Sequence, residues 1–286
     1  MIFSLVLLAG LALGGCGDGS AVMREGNQGL PPGDGFMTKE LATSHGPRKY
    51  TIFIPASYTP TKKWPAIVFL HGVGEGGSDA TANVGVGLGP AVAKRAATFP
   101  FIVIFPQSSS GYWDENSDAA ADAIATLEQV KKDYAVDPDR VSLTGLSTGG
   151  YGVWGIGAKW NSEFAALVPM CAYSPHEKDL PTLAKLPVWA FHNGGDMFVF
   201  AAGSSWACKE INKLGGHAKY TEFGAIGHNC WDEAYNEGEL FSWMLDQRRG
   251  GGTAGSGTGQ PGAMAKPMGR AEVPAVKAED KNMPVY

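Results

Sequence analysis

The chain has 286 residues, 44% of them hydrophobic and 18% charged, with a formal net charge of −5. Such values fit an ordinary globular protein built as one large domain with tails. They lack the basic footprint of a nucleic-acid binder, so nucleic acid is excluded as a partner.

An apolar run, Ile2–Leu13, opens the chain and leads into Gly14-Gly15-Cys16. A bilayer-spanning helix needs about 20 apolar residues, so this run is short for one. Small residues before a cysteine resemble a bacterial lipoprotein signal, with Cys16 as the lipidated residue. No Lys or Arg precedes the run, where such signals carry a basic segment. We expect residues 1–15 to be a lipoprotein-type signal, with a plain signal peptide or an uncleaved anchor as the alternative. The expected location is the bacterial cell envelope or the exterior, with membrane contact only through the anchor. Residues 16–36, rich in Gly, Pro and Asp, read as a flexible tether.

The folded unit is expected over residues 37–248. Candidate strands are Tyr50–Ile54, Ala66–Leu70, Phe101–Phe105, Arg140–Thr144, Ala166–Met170, Val188–Phe191 and Lys219–Phe223. Several are unbroken apolar runs, as expected of strands covered on both faces. Asp118–Tyr134 has helical spacing, with Ser117 as N-cap. Gly149–Lys159, Ser204–Leu214 and Asn236–Gln247 also read as helices. The alternation predicts a mostly parallel sheet with helices on both faces. Residues 249–286 are rich in Gly, Pro, Ala, Ser and Lys with almost no aromatics, and are expected to be disordered.

In such sheets functional groups gather at the carboxyl ends of the strands. Gly145-Leu146-Ser147-Thr148-Gly149 matches the G-x-S-x-G turn that lifts a nucleophilic serine above a sheet. Chance alone gives about 0.3 such matches in a chain with 17 serines and 40 glycines. Position is the stronger signal: the match follows a predicted strand and opens a predicted helix, and Asp137-Pro138-Asp139 reads as the turn before that strand. In folds that use this turn, the acid and then the histidine follow the serine in the chain. Asp196 follows the strand Val188–Phe191, and His228 follows Lys219–Phe223, so both fall on the serine's side of the sheet. Asp179 and Asp232 are weaker acids: one lacks a preceding strand, the other follows the histidine. His176 precedes any plausible acid, and His217 falls at the wrong strand end. His192 is read as ordering the acid loop. For the oxyanion hole, the Gly-rich turn after Ala66–Leu70 offers the N–H of Val73 or Gly74, and Thr148 offers the second. The turn lacks the Lys-Ser/Thr ending of a phosphate-binding loop. Tyr112, Trp113 and Trp231 are candidates to stack on a sugar or phenolic group, or else are core or rim residues.

Of the four cysteines, Cys171, Cys208 and Cys230 remain if Cys16 carries lipid. Export permits one disulfide among them. All three pairings are open. Cys208–Cys230 is weakly preferred, because both lie near the acid and base loops. No Cys or His spacing suggests a zinc site.

Three blocks together carry a resemblance: Phe69-Leu-His-Gly-Val-Gly-Glu-Gly-Gly77, Asp137-Pro-Asp-Arg-Val-Ser-Leu-Thr-Gly-Leu-Ser-Thr-Gly-Gly-Tyr-Gly-Val-Trp154 and Gly227-His-Asn-Cys-Trp231. They resemble bacterial α/β-hydrolases often labelled predicted peptidases. These are similar to secreted feruloyl, acetylxylan and polyhydroxybutyrate-type esterases and to phospholipase/carboxylesterase proteins. The likeness spans about Thr51–Leu245. It implies an α/β-hydrolase fold, a Ser147–Asp196–His228 triad and no cofactor; the short connection between the strand ending at Met170 and the one starting near Pro187 leaves no room for a large cap there. We expect a monomer acting on small or polysaccharide-linked esters, with peptide cleavage or a non-catalytic binding role as rivals. Two departures stand out. Asn193-Gly-Gly-Asp-Met-Phe198 replaces the usual His-Gly-x-x-Asp-x-x-Val-Pro pattern, and Thr148 stands where Met or Ala is common.

Overall fold

The computed structural model describes residues 35–250. The expected signal, Cys16, and nearly all of the expected tether and tail lie outside these residues. Eight strands form one sheet: β1 (Phe36–Thr43), β2 (Gly46–Phe53), β3 (Trp64–Leu70), β4 (Ile102–Pro106), β5 (Val136–Leu146), β6 (Ala166–Met170), β7 (Val188–Gly195) and β8 (Ala218–Ile226). Their spatial order is β1-β2-β4-β3-β5-β6-β7-β8. The β1–β2 and β2–β4 pairs are antiparallel, and the remaining pairs are parallel. Seven helices flank it: α1 (Leu88–Ala93), α2 (Asp118–Asp133), α3 (Thr148–Lys159), α4 (Leu180–Leu183), α5 (Ala201–Lys213), α6 (Trp231–Ala234) and α7 (Leu240–Asp246).

The apolar runs become the central strands because parallel strands need both faces covered. All seven residues of β3 are buried. Successive side chains point to opposite faces. Ala66, Val68 and Leu70 therefore join one core with Leu127 of α2, Trp154 of α3 and Ile211 of α5. Ile67 and Phe69 join a second core with Leu88 of α1, Met244 of α7 and Tyr235, which closes α6. Truncating a central residue such as Leu127 to Ala costs about 2–5 kcal/mol. Ser117 caps α2, its hydroxyl accepting from the Ala120 N–H at 3.2 Å. Between β6 and β7 lie only a 3-10 turn and α4, so no large cap is inserted there.

Four details differ from the sequence reading. Strand β1 was not expected. Its Met-Thr-Lys-Glu-Leu-Ala-Thr run is mostly half-buried or exposed at the sheet edge, so its pattern is weak. The ordered contacts also begin earlier and end later than expected: the Gly35 carbonyl accepts from the Ile54 N–H, and the Arg249 N–H donates to the Asp139 carbonyl. Asp137-Pro138-Asp139 is part of β5 rather than a turn before it. Val136 pairs with Trp64, then the register shifts so that Val141 pairs with Ala66. The helix expected over Asn236–Gln247 begins only at Leu240, as α7; the short α6 precedes it, and the Asn236 amide donates back to the Asp232 carbonyl.

Candidate active site

Strands β3 to β8 run parallel, so their carboxyl ends share one edge of the sheet. Ser147 sits there, between β5 and α3, at φ 56° and ψ −120°. A non-glycine residue at positive φ is strained, and only its surroundings hold it there. Those surroundings are backbone. A Cβ at Gly149 would overlap the Leu70 carbonyl oxygen, and one at Gly145 would lie 2.6 Å from the Gly149 carbonyl oxygen. The glycines thus let β3, β5 and α3 close around the serine. The Ser147 N–H donates to the Met170 carbonyl at 2.9 Å.

The Ser147 hydroxyl donates to His228 Nε2 at 2.8 Å, and His228 Nδ1–H donates to Asp196 Oδ2 at 2.6 Å. The other carboxylate oxygen of Asp196 accepts from the Phe198 and Val199 N–H groups at 2.9 and 3.0 Å. Burial alone would push the Asp196 carboxyl up, but the bonds from His228, Val199 and Phe198 outweigh it and hold it below the usual range. An ionised Asp196 can only accept, which fixes the proton on His228 Nδ1 and leaves Nε2 to take the serine proton. His192 donates from Nε2 to the Val199 carbonyl at 2.9 Å, and its Nδ1 lies 2.9 Å from the Ser204 hydroxyl. Burial lowers its pKa, so it stays neutral beneath the acid loop.

The Gly-rich loop after β3 lies against the serine: a Cβ at Gly72 would be 3.6 Å from the Ser147 Cβ. His71 shapes this loop. Its Nδ1–H donates to the Gly72 carbonyl at 2.7 Å, and Nε2 accepts from the Ser108 N–H at 3.0 Å. Burial pushes its pKa down to about 4, which keeps the accepting lone pair free. The Gly72 N–H donates to Glu75, whose carboxyl is raised by burial. Val73 opens a 3-10 turn and Thr148 opens α3. Among the described residues neither N–H has an acceptor. Gly74 stands beside them with open space at its Cβ position. The Thr148 hydroxyl donates to the Gly111 carbonyl at 2.7 Å.

The aromatic candidates part company. Tyr112 is exposed. Trp231 packs perpendicular to His228, with ring centroids 5.4 Å apart. Trp113 is 1% exposed, and its indole N–H donates to the His71 carbonyl at 2.9 Å. It therefore supports the Gly-rich loop from beneath and offers no face for stacking. That corrects the expectation for Trp113.

The cysteine preference is also corrected. Cys171 and Cys230 form the disulfide, and Cys208 is free and buried. Cys208 belongs to one core and Cys230 to the other, with the sheet between them. The sulfur of Cys171, the Asp196 carboxylate and the His228 ring lie within 4.8 Å of one another. With that sulfur in a disulfide and the other two bonded to each other, the cluster holds no free thiolate for a metal.

Sequence reasoning missed Asn193. It is 1% exposed, and its amide donates to the Gly227 and Asn229 carbonyls at 2.9 and 3.0 Å. These carbonyls bracket His228. The signal was its place in the acid loop, directly after β7's buried His192.

No protein-family model and no curated protein sequence matches the chain. Among solved structures, the chain is similar to a thermostable esterase, at 26% identity over 75% of this chain and a TM-score of 0.66. It is also similar to an acylaminoacyl peptidase from Pyrococcus horikoshii, at 12% identity over 77% of this chain and a TM-score of 0.57. The chain spans 63% of the length of the first and 43% of the second. The architecture is the α/β-hydrolase fold that the resemblance implied, and its mostly parallel sheet is what the alternation of strands and helices predicted.

Proposed function

We propose that the protein is a serine hydrolase that cleaves carboxylic esters through Ser147, His228 and Asp196. The observation that carries this reading is the continuous hydrogen-bond chain from the Ser147 hydroxyl through the His228 ring to the buried Asp196 carboxylate. Ser147 Oγ attacks the ester carbonyl while His228 Nε2 takes its proton, giving a tetrahedral oxyanion. The N–H groups of Val73 and Thr148, with Gly74 adjacent, receive the developing charge. His228 then returns the proton to the leaving alkoxide, and an acyl-Ser147 ester remains. Water, deprotonated by His228, attacks that ester and regenerates the serine. Asp196 keeps the tautomer and stabilises the imidazolium. Each step is supplied by the chain's own groups and calls for no cofactor.

The Cys171–Cys230 disulfide supports export to an oxidising compartment as part of the same reading. Replacing Ser147 by Ala removes the nucleophile. Hydrolysis of p-nitrophenyl acetate and labelling by a fluorophosphonate probe should both fall to background. Retained hydrolysis in that variant would overturn the mechanism. Faster turnover of matched peptide amides than of esters by the native protein would reassign it as a peptidase with the same machinery.

A further inference from the structure

Eight large apolar side chains among the described residues are at least half exposed. Met197, Phe198 and Phe200 follow β7, and Ile226 ends β8. Val73, Tyr112 and Tyr173 follow β3, β4 and β6. Only Leu214, which closes α5, lies at the other end of the sheet. Exposed apolar surface is unfavourable unless something covers it, and a contiguous patch marks a binding site. Here seven of the eight fall at the end of the sheet that carries Ser147.

The richest part lies on the His228 side. Met197, Phe198 and Ile226 are 80%, 78% and 89% exposed. The fold does not require these side chains: in this loop the structural work falls to backbone, with the Phe198 N–H bonded to Asp196. The Phe198 ring centroid is 6.1 Å from the His228 ring. Ile226 lies against Gly195, where an added Cβ would be 3.2 Å from its Cγ1. His228 delivers its proton to the leaving alkoxide, so the alcohol half of an ester must lie on this side.

Polar groups are few there, and the Glu222 carboxylate beside Gly194 takes the Tyr220 hydroxyl. Residues 193–200 and 224–229 contain no Lys or Arg, and their one acidic residue, Asp196, is committed to His228. Asn229 is tied back to Asp232 by both its amide nitrogen and its carbonyl oxygen. The Asn193 amide nitrogen is spent on two carbonyls, and its oxygen, unpartnered among the described residues, is buried out of reach.

We infer that Phe198, flanked by Met197 and Ile226, forms a leaving-group subsite for esters of uncharged, apolar alcohols rather than of sugar hydroxyls. The inference rests on the ester-hydrolase reading and names its substrate class.

The test is a series of n-alkyl acetates from ethyl to hexyl, kept below their solubility limits. These share an acyl group and have alcohols of nearly equal acidity. For the native protein kcat/KM should rise about twofold per methylene, a fraction of the gain from full burial. It should also exceed the value for an acetylated methyl glucoside. In the triple variant Met197→Ser, Phe198→Ser, Ile226→Ser the series should flatten, while circular dichroism and Tm show the fold retained. A flat native series, an unchanged slope in the triple variant, or preference for the sugar acetate would each overturn the subsite. If p-nitrophenyl acetate is cleaved while the series is flat, the subsite fails alone. If the native protein cleaves no ester, the ester-hydrolase reading fails with it.

Discussion

Ser147 stands at the end of β5, in the middle of the sheet, whereas His228 stands just past β8, at its edge. Their atoms meet at 2.8 Å, yet they are held by different means. Around the serine, backbone packs on backbone, and Gly145, Gly149 and Gly150 each lie where a Cβ would meet a carbonyl oxygen. Around the histidine, Gly224 and Gly227 have nothing within 4 Å of an added Cβ. Strand β8 pairs with β7 alone and is largely exposed. Side chains do the holding there: Asp196 on the ring, Asn193 on the flanking carbonyls, and the disulfide from Cys171 to Cys230 two residues on. Main-chain packing thus fixes the proposed nucleophile, and a few separable ties fix the proposed base.

Substitutions can break that contrast. The largest effect is expected on the serine side, from Gly149→Ala. The new methyl overlaps the Leu70 carbonyl, and stability should fall by about 3 kcal/mol or more, read as a lowered Tm or loss of soluble protein. Next comes removal of the disulfide by replacing Cys171 and Cys230 with Ala. Denaturant unfolding should show a loss of about 2–4 kcal/mol, and kcat should drop about tenfold as the base loop loosens. Retained kcat in folded protein would show that the bridge does not position His228. Asn193→Ala leaves the Gly227 and Asn229 carbonyls without their donor, at about 1–3 kcal/mol. Its kcat should fall several-fold with KM nearly unchanged, because the ring and not the substrate surface is disturbed. The smallest effect is expected from Gly224→Ala, within about 0.5 kcal/mol and with native kcat. A large loss there would show that backbone packing matters on both sides.

The sequence carried the sheet well where burial is two-sided. β3, β4 and β6 are unbroken apolar runs, and no other placement covers them. β1 was illegible because an edge strand needs only a weak stripe. Ser147, Asp196 and His228 could be placed because each follows a strand, and topology sends parallel strand ends to one edge. The failures concern which face a side chain takes. Trp113 lies in a polar loop, Ser110-Gly-Tyr-Trp-Asp-Glu115, that gives no hint of an inward turn. Cys208 sits close in sequence to the acid and base loops, but helix α5 points it into the opposite core. Pairing depends on strand order: Cys171 follows β6 and Cys230 follows β8, and both reach the Phe191 carbonyl of the β7 between them. Asn193 was overlooked because its partners lie 34 and 36 residues away.

The odd cysteine has a further consequence. Cys208 is 3% exposed, and burial pushes its thiol up to about 12. At neutral pH it is almost wholly protonated and screened from reagents, so it neither competes for Cys230 in the folded chain nor reacts with alkylating agents. Only an opening of the core beneath α5 exposes it. Its slow alkylation therefore serves as a built-in clock, counting how often the closed molecule opens.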